Sequence, residues 1–244
     1  MHKQIPVGFS QRIQLAWLEQ TASGFAGGAT RTEIEAQLQR ILKDKVSVGG
    51  ISPRGNREKI ITILLKTWVT VPSHLEPLRN EAVPLWQRLP QDQRLAAHWG
   101  LIAATYPFFL VVTDALGRLL ELQGRVSAAQ VQRRVAEIMG ERETVARAAR
   151  RTIRTLVDWG VLRETAEKGL YQAASPVPLE PELSRWLIKA ILWAEGKPAA
   201  TFSSLIANPG LYPFKLAVTP YDLKTDSQLE ITRQGLNEDI IVLK

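Results

Sequence analysis

A chain of 244 residues, 45% hydrophobic and with seven Trp, can bury one large core or two modest ones, which excludes a disordered polypeptide. The absence of cysteine excludes disulfides, thiol catalysis and cysteine-based zinc sites, and it fits a reducing cytosol. The net charge of +7 is unevenly spread: Gly124 to Arg163 carries nine Arg against four acids, a net of +5, whereas Ser175 to Lys244 has seven basic and eight acidic residues, a net of −1.

The opening MHKQIPVGFSQRIQ lacks the apolar core of a signal peptide. Ser10 begins an amphipathic segment through Ile13, Trp17 and Leu18 that ends at Gly24-Phe25-Ala26-Gly27-Gly28. A glycine-rich loop can cradle phosphate when it follows a strand and opens a helix; here it follows a helical pattern, so a flexible joint is the better reading. Thr30 or Thr32 caps the next helix, whose buried stripe is Ile34, Leu38, Ile41 and Leu42.

Val46 to Ser52 reads as a turn containing Gly49-Gly50, and Pro53 suits a first helical position. Ile60, Ile61, Leu64, Leu65 and Trp68 carry that helix to Val71-Pro72. Arg54, Arg57 and Lys59 crowd its start, where the helix dipole disfavours cations. A docked phosphate would reverse that penalty, so Arg31 to Trp68 reads either as a helix-turn-helix or as plain helical packing.

Further helices are expected at Leu75 to Arg88, Asp92 to Ala104 and Pro107 to Leu122, with Trp86, Trp99, Phe108 and Phe109 as core anchors. Leu95 to Thr113 has no charged residue across 19 positions. Tyr106-Pro107 interrupts it, because the residue before proline is biased out of the helix. Two buried helices meeting at the proline therefore fit better than a membrane span.

Val126 to Ala173 has the outline of a winged helix-turn-helix: helix, tight turn, long basic helix, then two short strands. Ser127 is the N-cap of the first helix, Val131, Val135 and Ile138 recur at helical spacing, and Gly140 stops it. The second helix runs from about Thr144 to Trp159 and is stopped by Gly160. Val161-Leu162 and Leu170-Tyr171 are the wing strands, joined through Glu167-Lys168-Gly169. On the second helix Val145, Ala149, Ile153 and Leu156 share one face, and Arg147, Arg150, Arg151 and Arg154 share another. Four like charges at this spacing repel by a few tenths of a kcal/mol per pair. Phosphate would relieve that repulsion, and guanidinium forks also suit guanine edges. The competing reading is a solvated face tempered by Glu141, Glu143 and Asp158, but those acids sit at the helix ends.

After the wing, Pro176-Val177-Pro178 marks a linker, and Pro181 to Glu195 reads as a helix with Leu183, Trp186, Leu187, Ala190 and Ile191 inward. Phe214 to Val218, Leu229 to Thr232 and Ile240 to Leu243 are β-prone runs consistent with a small sheet. The fold class expected is mainly α: a helical N-terminal domain (1–122), a central winged helix-turn-helix (123–175) and a C-terminal helix with a small sheet (176–244).

No catalytic constellation emerges. His2, His74 and His98 are not spaced as metal ligands, and His98 on an apolar stretch reads as a hydrogen-bonded core residue. Gly196-Lys197 lacks the upstream glycine of a phosphate loop. Asp222, Asp226 and Glu230 are faintly like the acids of metal-dependent nucleases, but Thr232 stands where a lysine is wanted, and a solvated hairpin fits better. No cofactor and no metal is expected, and no enzymatic activity.

The stretches GFAGGATRTEIEAQLQRIL, ISPRGNREKIITILLKTW, YPFFLVV and RRTIRTLVDWGVL carry a resemblance. Over its first three quarters the chain resembles the BrxA-type proteins of bacteriophage-exclusion (BREX) defence loci, or a related phage-defence accessory protein. The resemblance implies an all-helical fold with helix-turn-helix units, comparable to the antitermination factor NusB, together with DNA binding and no catalytic residue. The β-prone tail departs from that family.

The expectation is a non-catalytic, cytoplasmic, double-stranded-DNA-binding accessory protein. Arg147, Arg150, Arg151 and Arg154 would meet the groove, Arg133 and Arg134 the backbone, and Arg163 or Lys168 the flanking phosphates, with Arg54 and Arg57 as a second basic cluster. Two other readings stand beside it. One is an adaptor whose winged helix assembles with a methyltransferase or ATPase of the same system; the other is a binder of structured RNA.

Overall fold

A computed structural model describes residues 5–46, 55–197, 199–235 and 238–244. Helices dominate. α1 (Leu15–Ala26), α2 (Arg31–Leu42), α3 (Asn56–Trp68), α4 (Glu76–Arg88), α5 (Arg94–Thr105) and α6 (Pro107–Gln123) fill the N-terminal half. β1 (Val126–Ser127), α7 (Ala128–Met139), α8 (Glu143–Asp158), β2 (Leu162–Glu164) and β3 (Leu170–Ala173) follow. β4 (Val177–Pro178), α9 (Pro181–Glu195), β5 (Ala199–Thr201), α10 (Phe202–Ile206), β6 (Phe214–Lys215), α11 (Pro220–Leu223), β7 (Leu229–Gln234) and β8 (Glu238–Leu243) complete the chain.

Local chemistry sets the helix limits. Thr30, not Thr32, caps α2: its hydroxyl accepts from the Glu33 amide while Glu33 reaches back to the Thr30 amide, so two otherwise orphaned donors are satisfied. The Tyr106-Pro107 step turns α6 by 117° from α5, and no described helix is long and apolar enough to cross a membrane. The turn over 46–52, Pro53 and Arg54 lie outside the described residues, apart from Val46 at the edge.

α5 is apolar around its whole circumference, and every residue from Leu95 to Ala104 is buried, as such a helix requires. It packs on α9, and Gly100 is what lets the two approach: a Cβ there would lie 2.6 Å from the Trp186 ring. α6 meets the Pro209–Leu211 turn as tightly, since a Cβ on Gly117 would lie 1.9 Å from the Pro209 carbonyl oxygen. Trp99 is the hub of the aromatic core, with its ring centroid 4.9 Å from Phe109 and 5.4 Å from Phe214, both edge-on. Buried residues from α1 through β8 form one continuous cluster.

The β-prone tail makes two small sheets rather than one. β5, β8 and β7 form an antiparallel sheet in the order β5-β8-β7, and β4 pairs with β6 in parallel at Val177↔Phe214. The segment 216–218 lies outside the strand expected to include it. A third sheet, in the order β1-β3-β2, belongs to the central region.

Candidate nucleic-acid interface

The basic region is built from the cap outward. The Ser127 hydroxyl accepts from the Gln130 amide and the Gln130 side chain accepts from the Ser127 amide at 2.8 Å, starting α7; Gly140, at φ 83°, ends it. Val131 and Val135 are buried, but Ile138 is 59% exposed, against the inward position its spacing predicts. It lies one turn beyond Val135 and borders a shallow groove with Ile5, Leu110 and Val111. The Gln132 side chain donates to the Ala146 carbonyl at 2.8 Å and ties α7 to α8.

α8 buries Val145, Ala148, Ala149, Thr152, Ile153, Thr155 and Leu156 and turns the opposite face outward. β2 and β3 form a hairpin in register Leu162↔Ala173, Arg163↔Gln172 and Glu164↔Tyr171, with Gly169 at φ 85° in its turn. β1, absent from the sequence reading, pairs with β3 at Val126↔Tyr171 and fastens the hairpin to the start of α7.

The structure separates the arginines into distinct environments. Arg150 is exposed and makes no ion pair among the described residues. Arg147, one turn before it, pairs with Glu143, and Arg154, one turn after it, pairs with Glu164. The acids therefore do not stay clear of the stripe. Glu143 reaches it through i,i+4 spacing along the helix, and Glu164 is delivered by the strand register. Hydrogen bonding to Tyr171 and to Glu164 holds the Arg154 guanidinium above its ordinary pKa.

Arg151 is not part of the open face. Its Nη1 donates to the Ser10 carbonyl at 2.8 Å, and burial, with the Arg147 charge adding to it, pushes its pKa below the ordinary value. The contact belongs to a strap in which residues 10–13 run along one flank of α8. The Ile13 amide donates to the Thr155 hydroxyl at 3.0 Å, the Trp159 indole donates to the Ile13 carbonyl at 2.9 Å, and Arg12 grips Asp158 with two nitrogens.

Arg133 and Arg134 lie exposed on α7, the latter paired with Glu137 at 3.0 Å. Arg133 borders an open cleft toward the α8 N-terminus shared with Glu137, Glu141, Arg142 and Glu143, so this end of the surface is of mixed charge. Lys168 is exposed at the hairpin turn. Arg163 is exposed too, but the alternation along β2 puts it on the hairpin face opposite Glu164 and hence away from Arg154. Arg57 is turned inward: its Nη2 donates to the Lys43 carbonyl at 3.1 Å, closing the end of α2. Arg54 lies outside the described residues.

His98, Asp222 and Asp226 are engaged in structural contacts. His98 is fully buried; its Nδ1 accepts from the Trp68 indole at 3.0 Å and its Nε2 faces Glu19 at 2.9 Å, with Arg94 3.5 Å from the same carboxylate. Asp222 completes a capping box with Thr219, and Glu230 is exposed on β7. Asp226 is not on a solvated hairpin: it is an ion-pair partner of the buried Lys189 at 2.7 Å. No group of three or more His, Cys, Asp or Glu among the described residues is placed to hold a metal ion.

No family model matches the chain, and no curated protein or solved structure matches it.

Proposed function

We propose that α7, α8 and the β1-β3-β2 sheet are a winged helix-turn-helix, and that the protein is a non-catalytic, cytosolic binder of double-stranded DNA. The observation that carries this reading is the outward face of α8, where Arg150, without an ion-pair partner among the described residues, stands between Arg147 and Arg154. Its back is fixed by seven buried residues, and the hairpin lies at its C-terminal end. A rigid row of guanidiniums on a helix is the shape a major groove accepts. Arg133 on α7 and Lys168 at the hairpin turn extend the positive surface toward flanking phosphates. The resemblance to BrxA-type proteins gives the reading a setting, as an accessory protein of a phage-defence system of the BREX kind.

A second reading, an adaptor for a protein partner, is favoured by one feature. Glu143, Glu164 and Glu137 intersperse the arginines, and a surface of alternating charge suits a protein with the complementary pattern.

Filter binding of a random-sequence duplex at two salt concentrations tests the first reading. Four phosphate contacts give a log–log slope near −3.6, so a fourfold rise in salt weakens binding roughly 150-fold. Reversing Arg147 and Arg150 to Glu abolishes retention of the duplex while the fold persists, since both side chains are exposed. A reversed variant that retains duplex as wild type does refutes the proposal. Retention of structured RNA in preference to duplex DNA also counts against it, because the A-form major groove is too narrow for a helix.

A further inference from the structure

The paired state of Arg154 raises a question that net charge does not answer. An acid on a surface that meets phosphate weakens sequence-blind attraction, yet Glu164 is held against the C-terminal end of the arginine row. Three elements converge on this guanidinium. α8 supplies Arg154, β2 supplies Glu164, and β3 supplies Tyr171, whose ring is 7% exposed and fixed in the core. Glu164 and Tyr171 are direct cross-strand partners, so both project to the same side of the hairpin. Glu164 Oε1 receives Arg154 Nη1 and Tyr171 is a second hydrogen-bond partner, so two contacts hold a planar group that carries five N–H donors. The rest of the fork keeps a set direction. Arg150, one turn earlier, has no such support among the described residues.

From this geometry we infer that Arg154 is a sequence-reading residue aimed at a guanine edge in the major groove, that Glu164 is its positioning residue, and that Arg150 makes a sequence-blind phosphate contact. The inference rests on the DNA-binding reading above. A guanine presents O6 and N7 as a pair of acceptors, the pattern a held guanidinium fork matches, whereas a free arginine gains as much from any phosphate.

The test begins with selection of bound duplexes from a random-sequence library by the wild-type chain, followed by titration of the selected duplex and of one with its guanines replaced. Wild type prefers the selected duplex by roughly tenfold or more. Arg154→Lys keeps the charge and the salt slope but loses the preference. Glu164→Ala loses the preference and binds all duplexes more tightly, while Glu164→Gln, which retains an acceptor oxygen, keeps the preference. Arg150→Ala binds every duplex more weakly, with a salt slope lower by about one and the preference intact. Thermal melts matching wild type confirm that these exposed substitutions leave the fold in place. A wild type that binds duplex without preferring any sequence overturns the inference and leaves the DNA-binding proposal standing, as does a Glu164→Ala variant with undiminished preference. A wild type that binds no duplex removes both.

Discussion

Lys189 offers the most direct test of how the C-terminal region is joined to the helical body. The residue lies on α9, is 2% exposed, and ion-pairs with Glu81 of α4 and, at 2.7 Å, with Asp226 ahead of β7. Glu81 accepts in addition from the Gln228 side chain at 2.6 Å, and Asp226 from the Gln228 amide at 2.9 Å. Arg185 stands 3.7 Å from Asp226 and donates to the Thr225 hydroxyl at 2.8 Å. Replacing Lys189 with Met preserves the volume of the stem and strands two carboxylates. Removing one member of a buried pair costs about 3–5 kcal/mol. Here the cost is lower, because Asp226 keeps Arg185 and Glu81 is 35% exposed, so its charge is partly solvated. About 2–3 kcal/mol remains.

For a chain of this length each kcal/mol moves Tm by about 2–4 °C, so Lys189→Met melts about 4–12 °C below wild type in calorimetry. Adding Glu81→Gln and Asp226→Asn removes the stranded charges and recovers most of the loss, since an apolar side chain among neutral polar ones leaves no buried ion. A single Lys189→Met variant that melts with wild type shows that the ammonium is not the tie between α4, α9 and the tail. A triple variant no better than the single one shows that the stranded carboxylates are not the source of the loss.

Acid should loosen the core at His98. Burial pushes its pKa below the ordinary value despite the opposing effect of Glu19, and its Nδ1 cannot take a proton while it accepts from the Trp68 indole. A histidine whose folded pKa is depressed contributes stability that is full above the unfolded value near 6.5 and declines as pH falls below it, by up to about 1.4 kcal/mol per pH unit. Burial alone would raise the Glu19 pKa, but the hydrogen bond from His98 and the charge of Arg94 carry it below the ordinary value, so its contribution is lost only at more acid pH, below about 4.5. Urea midpoints at pH 7.5 and 5.5 measure the first step; equal midpoints contradict a neutral buried imidazole. Gly117→Ala places a methyl against the Pro209 carbonyl and forces α6 away from the Pro209–Leu211 turn, a cost of about 1–3 kcal/mol visible as a lower Tm. An unchanged Tm would mean that the turn gives way freely.

Much of the helical scaffold was legible because it depends on local rules. Pro181 to Glu195 matches α9 in full, and the Tyr106-Pro107 break falls where two buried helices meet, because capping and proline chemistry act over a few residues. Short strands were not legible in the same way. β5 is Ala-Ala-Thr, two of its three residues being poor strand formers, and exists because β8 pairs with it at Ala200↔Ile241; β1 is two residues recruited by β3.

The same division runs through the basic face. Spacing alone puts Arg147, Arg150, Arg151 and Arg154 on one side of α8, but it treats them as equal charges. Their differences come from partners that lie far away in sequence. The Ser10 carbonyl, 141 residues from Arg151, withdraws that arginine from the open surface. Glu164 meets Arg154 only because the hairpin register sets it opposite Tyr171. The Glu143–Arg147 pair was readable from i,i+4 spacing, whereas the other two depend on tertiary placement. Charge density thus identifies a face, while the structure around each guanidinium decides whether it is anchored, aimed or free. Of the four on α8, Arg150 alone combines exposure with the lack of a partner among the described residues, so under the proposed function a reversal of charge there is expected to weaken duplex binding without a compensating loss of internal contacts.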